Sequence, residues 1–338
     1  MDALDRALLN IVQTDFPITS RPYKTLAGLT GSTEDEAWER IQSFRQEGII
    51  RRLGGVFDSH RLGYKSTLCA AKVPEDKIQI LADLLMDIPG VTHNYLRNHD
   101  YNIWFTLIAT SQKEVEKVLT TIKGIIGTEE VYSLPALRLF KISVDFDFSP
   151  EDQEEDNRNL EEYECSSANP RGSQKLEPYP VDEADKLIIR ELQGNIPESL
   201  TPYAEIAEKL AWQEERVLKQ TQHLVNNRVI RRFGAVLRHQ KAGFTANAMG
   251  VWQVPEEKAE SLGKIMASFR EVSHCYQRPT LKDWPYNLFT MIHARSQEGC
   301  GEVMAKIAQA TGIKDYAMLF SIKELKKSSM QYYMEEDD

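Results

Sequence analysis

Much of the chain occurs twice. Ile50-Arg51-Arg52-Leu53-Gly54-Gly55-Val56 returns as Ile230-Arg231-Arg232-Phe233-Gly234-Ala235-Val236, a shift of 180 residues. The same shift aligns Asp5 with Asp185, Pro22-Tyr23 with Pro202-Tyr203, and Gly63 with Gly243. After one insertion, Val91-Thr92-His93-Asn94-Tyr95-Leu96-Arg97 matches Val272-Ser273-His274-Cys275-Tyr276-Gln277-Arg278. A four-residue insertion between Pro279 and Pro285 then precedes Tyr286-Asn287, which matches Tyr101-Asn102. A repeat this long is a duplicated domain pair, since solenoid periods run about 20–50 residues. Whatever one half folds into, the other must fold into as well.

Each copy carries the same local grammar. Leu4, Leu8 and Val12 recur at i, i+4 and i+8, and Ala184, Ile188 and Leu192 repeat that helical stripe. A short helix is expected near Tyr23 to Leu29. A third starts at Thr33, with Thr33 and Glu36 as a capping box and Trp38, Ile41 and Phe44 turned inward. The Arg-Arg and glycines of Ile49 to Phe57 suit the strand pair of a winged helix-turn-helix. The second half of the copy reads strand, helix, strand, strand, helix, strand, the order of a ferredoxin-like sandwich. The expected fold class is therefore α+β: two tandem copies of a winged helix-turn-helix plus a ferredoxin-like βαββαβ domain. The boundaries fall at 1–62 and 63–148 for the first copy and at 181–242 and 243–338 for the second. Between them, 149–180 holds Glu151-Asp152-Gln153-Glu154-Glu155-Asp156 and is too polar to bury a core, so it reads as an acidic linker.

Several functions are disfavoured at this level. No run approaches the roughly 18 apolar residues that span a bilayer. The opening MDALDRALLNIV has acids in an amphipathic pattern and does not resemble a secretion signal. Cys69, Cys165, Cys275 and Cys300 have neither CxxC nor CxxH spacing, which favours reduced thiols in a cytoplasm over a zinc site or disulfide framework. DNA binding is disfavoured too. The net charge is −10, and the segment Ser32 to Arg40, which would enter a major groove, carries four acids and one base. The matching stretch Ala211 to Arg216 contains Glu214 and Glu215. Acids in a first turn also simply complement the helix dipole.

Three stretches of the second copy are denser in functional side chains than packing requires. The first, Arg231 to His239, places Arg231, Phe233 and His239 on one side of a strand and Arg232 and Arg238 on the other. In the second, period two puts His274, Tyr276 and Arg278 on one face. In the third, Trp284 to His293, Asn287, Phe289, Met291 and His293 share a side. Imidazoles, guanidinium groups and aromatic rings on one sheet suit a flat, polyanionic, metal-bearing ligand. Arginine forks pair with carboxylates, aromatic rings cover ring faces, and imidazole ligates iron or moves protons. The first copy keeps His93, Tyr95 and Arg97 and adds His60 and His99, but has Ser59 for His239, Asp58 for Arg238 and Ile108 for His293. The complete site is therefore expected around the second copy, with the first as structural partner or as a contributor across the interface.

The strings RRFGAVLRHQKAGFTANAMGVW, HCYQRP and WPYNLFTMIHA resemble the siroheme decarboxylases, and the architecture resembles the Lrp/AsnC regulators. RRLGGVFDSHRLGY and THNYLRNHDYNIWFTL of the first copy resemble the partner subunit of the same heteromeric enzymes. The resemblance implies removal of CO2 from two acetate arms of siroheme to give 12,18-didecarboxysiroheme, on a route to haem or haem d1. It also implies no cofactor beyond the iron that the substrate carries, and two related subunits here fused. His239 and His274 are then the expected catalytic residues. Arg231, Arg232, Arg238, Tyr276, Arg278, Trp284, Tyr286 and Asn287 would bind substrate, and His293 would be the iron ligand. Which histidine ligates and which donates protons stays open. The partners expected are siroheme and its product, without DNA or membrane, and a homodimer is an option. A transcription regulator of Lrp/AsnC type and a haem sensor or carrier without turnover are the rival functions.

Overall fold

The computed structural model describes residues 1–142, 176–237 and 246–334. The first copy runs α1 (Ala3–Thr14), α2 (Pro22–Thr30), α3 (Glu34–Gln46) and β1 (Ile50–Phe57), followed by β2 (Lys65–Ala71), α4 (Ile78–Asp87), β3 (Val91–Arg97), β4 (Ile103–Ala109), α5 (Gln112–Ile126), β5 (Val131–Pro135) and β6 (Arg138–Ile142). The second runs α6 (Glu183–Leu192), α7 (Pro202–Leu210), α8 (Glu214–Asn226) and β7 (Ile230–Leu237), then β8 (Ala246–Trp252), α9 (Ala259–Ser268), β9 (Val272–Gln277), β10 (Leu288–Ala294), α10 (Gln297–Thr311) and β11 (Tyr316–Lys327). The helix starts follow from their caps. Asp2 and Asp182 each close a reciprocal capping box with the aspartate three residues on. At α3, Thr33 accepts from the Glu36 amide without the expected reciprocal bond.

The expected wing strand pair within each copy is replaced by a pair between copies. β1 and β7 form a two-stranded antiparallel ribbon, with Gly54 opposite Gly234 at its centre. A Cβ at Gly54 would run into the Leu192 and Gly194 carbonyl oxygens behind α6, and one at Gly234 into the Val12 carbonyl of α1. Only glycine lets each strand cross so close to the other copy's first helix. The same crossing is stitched by the Phe16 amide donating to the Phe233 carbonyl (2.8 Å) and the Ile196 amide to the Leu53 carbonyl (2.9 Å). One hydrophobic core accordingly serves both helical triplets, with Leu8, Phe16, Ile41 and Leu53 packed together with Ile188, Ile196, Tyr203 and Phe233.

The two βαββαβ units are also interlocked, through their last strands. Nine strands run in the order β5-β2-β4-β3-β11-β8-β10-β9-β6. In the second copy, β11 pairs with its own β8 through Tyr316 to Phe320, then with β3 of the first copy through Ser321 to Lys327. The first copy does the same in two pieces. β5 pairs with its own β2, and after residues 136–137, β6 pairs with β9 of the second copy. The first and last strands of the order are thus consecutive in the chain, and the sheet comes back on itself. Helices α4 and α5 cover one outer face, with Leu81, Leu85, Val115 and Ile122. Helices α9 and α10 cover the other, with Met266, Val303 and Ile307. Enclosed between the copies lie Ala70, Tyr101, Trp104 and Leu134 with Met249, Val251, Trp284, Phe289 and Leu319.

Candidate active site

Pairing by pseudo-twofold symmetry sets out two matching arrays on β3 and β9. In each, the histidine Nδ1 sits beside a hydroxyl, His93 at 3.0 Å from Thr92 Oγ1 and His274 at 2.9 Å from Ser273 Oγ. Two residues along, the imidazole stacks on a tyrosine: His93 on Tyr95 with centroids 6.4 Å apart, and His274 on Tyr276 at 6.2 Å. An arginine then lies over that tyrosine, with Arg97 at 5.3 Å from Tyr95 and Arg278 at 4.7 Å from Tyr276. The period of a strand delivers this order of side chains to one face.

The arrays meet in one shared site. Burial pushes His274 down to about 3, aided by the positive charges of His293, Arg231, His93 and Arg278. His93 falls to about 4, again chiefly through burial and then through Lys327 and Arg51. His93 thus acts on the histidine of the other copy, and Arg51 and Arg231 reach the arrays from the two strands of the ribbon. Asp58, just beyond β1, is the acid that acts on Tyr276. The first copy's His93, Arg51 and Asp58 act on these arrays, in keeping with a site around the second copy to which the first contributes across the interface.

Of the residues expected from sequence, His274, Tyr276, Arg231 and His293 come together here. Others are committed elsewhere. Arg278 donates from Nη1 to the Leu134 carbonyl, and Arg97 from Nη1 to the Leu319 carbonyl at 2.9 Å, so both act as struts between copies. Burial lowers each to about 10. Arg232 donates to the Gln13 and Ala235 carbonyls, as Arg52 does to those of Gln193 and Gly55, so each arginine ties its own strand to the other copy's first helix end. Asn287 bonds both ways with the Val254 backbone, at 2.9 and 2.8 Å, and Asn102 does the same with Val73. Trp284 is 1% exposed in the core between copies, where the insertion bridged by Leu281 and Trp284 sets it against Tyr101, Trp104, Tyr286 and Phe289. Tyr286 is half-buried against that cluster. Arg232, Asn287 and Trp284 thus carry backbone and packing roles. Arg238 and His239 lie outside the described residues, as does most of the 149–180 segment.

Sequence reasoning missed Arg51 as a site residue, although its alignment with Arg231 was visible. It also missed Glu324 and Lys327 of β11, which enter the first array by strand exchange. Among the described residues no cluster of three or more His, Cys, Asp or Glu side chains could hold a metal ion.

Two family models each match both copies. The siroheme decarboxylase NirDL-like HTH domain matches residues 5–51 and 185–231, and the AsnC-like ligand binding domain matches 61–141 and 241–326. A siroheme decarboxylase of Hydrogenobacter thermophilus is 36% identical over 331 residues, 97% of this chain and 95% of that protein. The chain belongs to the siroheme decarboxylase family. A family alpha subunit from Desulfovibrio desulfuricans is 51% identical over 146 residues, spanning 43% of this chain and 84% of that subunit. Within the family, the crystal structure of NirDL in co-complex with an iron-uroporphyrin III analogue superposes with a TM-score of 0.73 at 32% identity, covering 98% of this chain and 95% of that one. Two tandem copies of helix-turn-helix and AsnC-like domain are therefore this chain's architecture.

Proposed function

We propose that this chain decarboxylates siroheme, removing CO2 from two acetate arms to give 12,18-didecarboxysiroheme. The observation that carries the reading is the pair of histidine–tyrosine–arginine arrays on β3 and β9, which feel each other's charge and those of Arg231, His293 and Arg51. Loss of CO2 breaks a C–C bond and leaves its electron pair on the methylene carbon, which must gain one proton to become a methyl. The step balances without an electron donor or acceptor, so the reading calls for no cofactor beyond the iron in the substrate.

His274 is the proposed proton donor, with His93 opposite it and His293 as the iron ligand. Burial keeps both His274 and His93 neutral at pH 7, since their values lie near 3 and 4. The carboxylates of a bound polyanion would supply opposite charge and draw a proton onto the imidazole. Arg231 and Arg51 would hold further carboxylates by charge-assisted bonds, and Tyr276 would lie against the ring. Arg238 and His239 remain in the proposal on their sequence resemblance alone.

DNA is not proposed as a ligand. Arg40, the lone base in the first half of α3, is tied to Asp2 at 2.8 Å and Asp5 at 2.9 Å. The paired copies take the place of separate subunits, and the chain is proposed to act in the cytoplasm, where the free thiols of Cys69, Cys275 and Cys300 would stay reduced. No described helix is long and apolar enough to cross a membrane.

Anaerobic incubation with siroheme, followed by mass spectrometry, tests the activity. Two successive losses of CO2 without added nucleotide or reductant are expected. Binding of siroheme with no change in its mass would instead favour a carrier or sensor.

A further inference from the structure

The two arrays match on β3 and β9 but not on the exchanged strands beside them. In the first array, Glu324 lies opposite Tyr95 and Lys327 opposite His93. In the second, Leu139 lies opposite Tyr276 and Ile142 opposite His274. These are corresponding positions in the two copies, so the pseudo-symmetry that repeats the histidine, tyrosine and arginine is broken by an acid–base pair on one side and two aliphatic residues on the other. The polar side is wired. The Tyr95 hydroxyl donates to Glu324 Oε2 at 3.3 Å, and Lys327 Nζ stands 3.9 Å from the same oxygen. On the apolar side Leu139 is 39% exposed, an uncovered aliphatic side chain beside a tyrosine and a histidine. Its neighbour Phe140 turns the other way, onto Gly263 of α9, which leaves Leu139 on the site face.

We propose that the two sides divide the work: the Leu139–Ile142 side receives each of the two reacting acetates in turn, and the Glu324–Lys327 side orients the macrocycle by charge. This rests on the decarboxylase reading above. The reacting acetate carries a full charge on its carboxylate, which spreads onto the methylene carbon and ring as CO2 departs. Aliphatic neighbours withdraw hydration from the concentrated charge more than from the spread one, which lowers the barrier. They also stand beside His274, the group that returns the proton. Glu324 sets like charge against a carboxylate arriving at Tyr95 and Lys327 draws one toward His93, so that side discriminates between ways of seating the ring.

Two neutral polar substitutions separate the roles. Leu139→Gln is expected to lower kcat for CO2 release about tenfold or more, with KM for siroheme and Kd for iron-uroporphyrin III within about twofold of wild type. Leu139→Met, which keeps an aliphatic surface, is expected to restore kcat. Glu324→Gln is expected to lower kcat less than Leu139→Gln does, to shift KM, and to yield products decarboxylated at other acetates. Unchanged kcat in Leu139→Gln, an equal kcat loss in Leu139→Met, or equal kcat losses in Leu139→Gln and Glu324→Gln would overturn the division of labour while wild-type turnover kept the decarboxylase reading intact. A wild-type chain that binds siroheme without releasing CO2 would overturn both.

Discussion

The halves of this molecule agree where they hold each other and differ where they would meet a ligand. Gly54 and Gly234, Arg52 and Arg232, Arg97 and Arg278, and Asn102 and Asn287 each do the same thing in their own copy. Ile108 against His293, and Glu324 against Leu139, do not. A duplicated chain keeps its joints symmetric because each joint is made twice by the same geometry. A substrate with unlike arms gives the two sides of a site no such reason to stay alike.

The hardest blow to this contrast would come from the paired histidines. His274→Ala is expected to lower siroheme decarboxylation by about 10²–10⁴-fold, the span usual for a lost general acid. His93→Ala should cost about tenfold, through the shape and hydrogen-bonding surface it lends to the same site. Initial rates followed by mass spectrometry decide, and equal losses would make the two sides functionally equivalent. Next in size is a test of the symmetric part. Gly54→Ala and Gly234→Ala should each destabilise the fold by about 1–3 kcal/mol, since the added methyl meets backbone oxygens rather than a side chain that can move. Denaturant unfolding should give like values for both, and a large disparity would mean that the ribbon is not symmetric in energy.

A last test lies in the pH dependence of stability. Unfolded, His93 and His274 take up a proton near pH 6.5, whereas folded they do so only near 4 and 3. Between those values the unfolded chain binds more protons, so stability rises with pH across that window and falls as pH drops through it. Each histidine contributes at most about 1.4 kcal/mol per pH unit. His274→Gln should flatten the slope down to about pH 3, and His93→Gln only down to about pH 4. Identical flattening would erase the electrostatic difference between the arrays.

Much of this was legible in the sequence, for particular reasons. The 180-residue repeat and its periodicities led to two helix-turn-helix and βαββαβ units, because local patterning dictates local elements. His274, Tyr276 and Arg231 could be picked out, since a strand's period of two says which side chains share a face. What stayed hidden was pairing at a distance. Nothing in Ile50 to Phe57 says that its partner lies in the other copy, so Arg232 looked free to bind a ligand when it serves the carbonyls of the crossing. The backbone role of Asn287 and the packing role of Trp284 stayed hidden for the same cause: polar and aromatic groups near a candidate site look alike on paper whether they face a ligand, a backbone turn or a neighbouring domain. Glu324, far from His93 in the chain, carried no signal at all.

The exchange of last strands separates where a residue is inherited from where it serves. Leu139 descends with the first copy yet flanks Tyr276 of the second, and Glu324 descends with the second yet flanks Tyr95 of the first. Substitutions that tune one reaction side must therefore arise in both ancestral segments at once. In relatives made of separate alpha and beta polypeptides, the same crossing would bind the histories of two genes together.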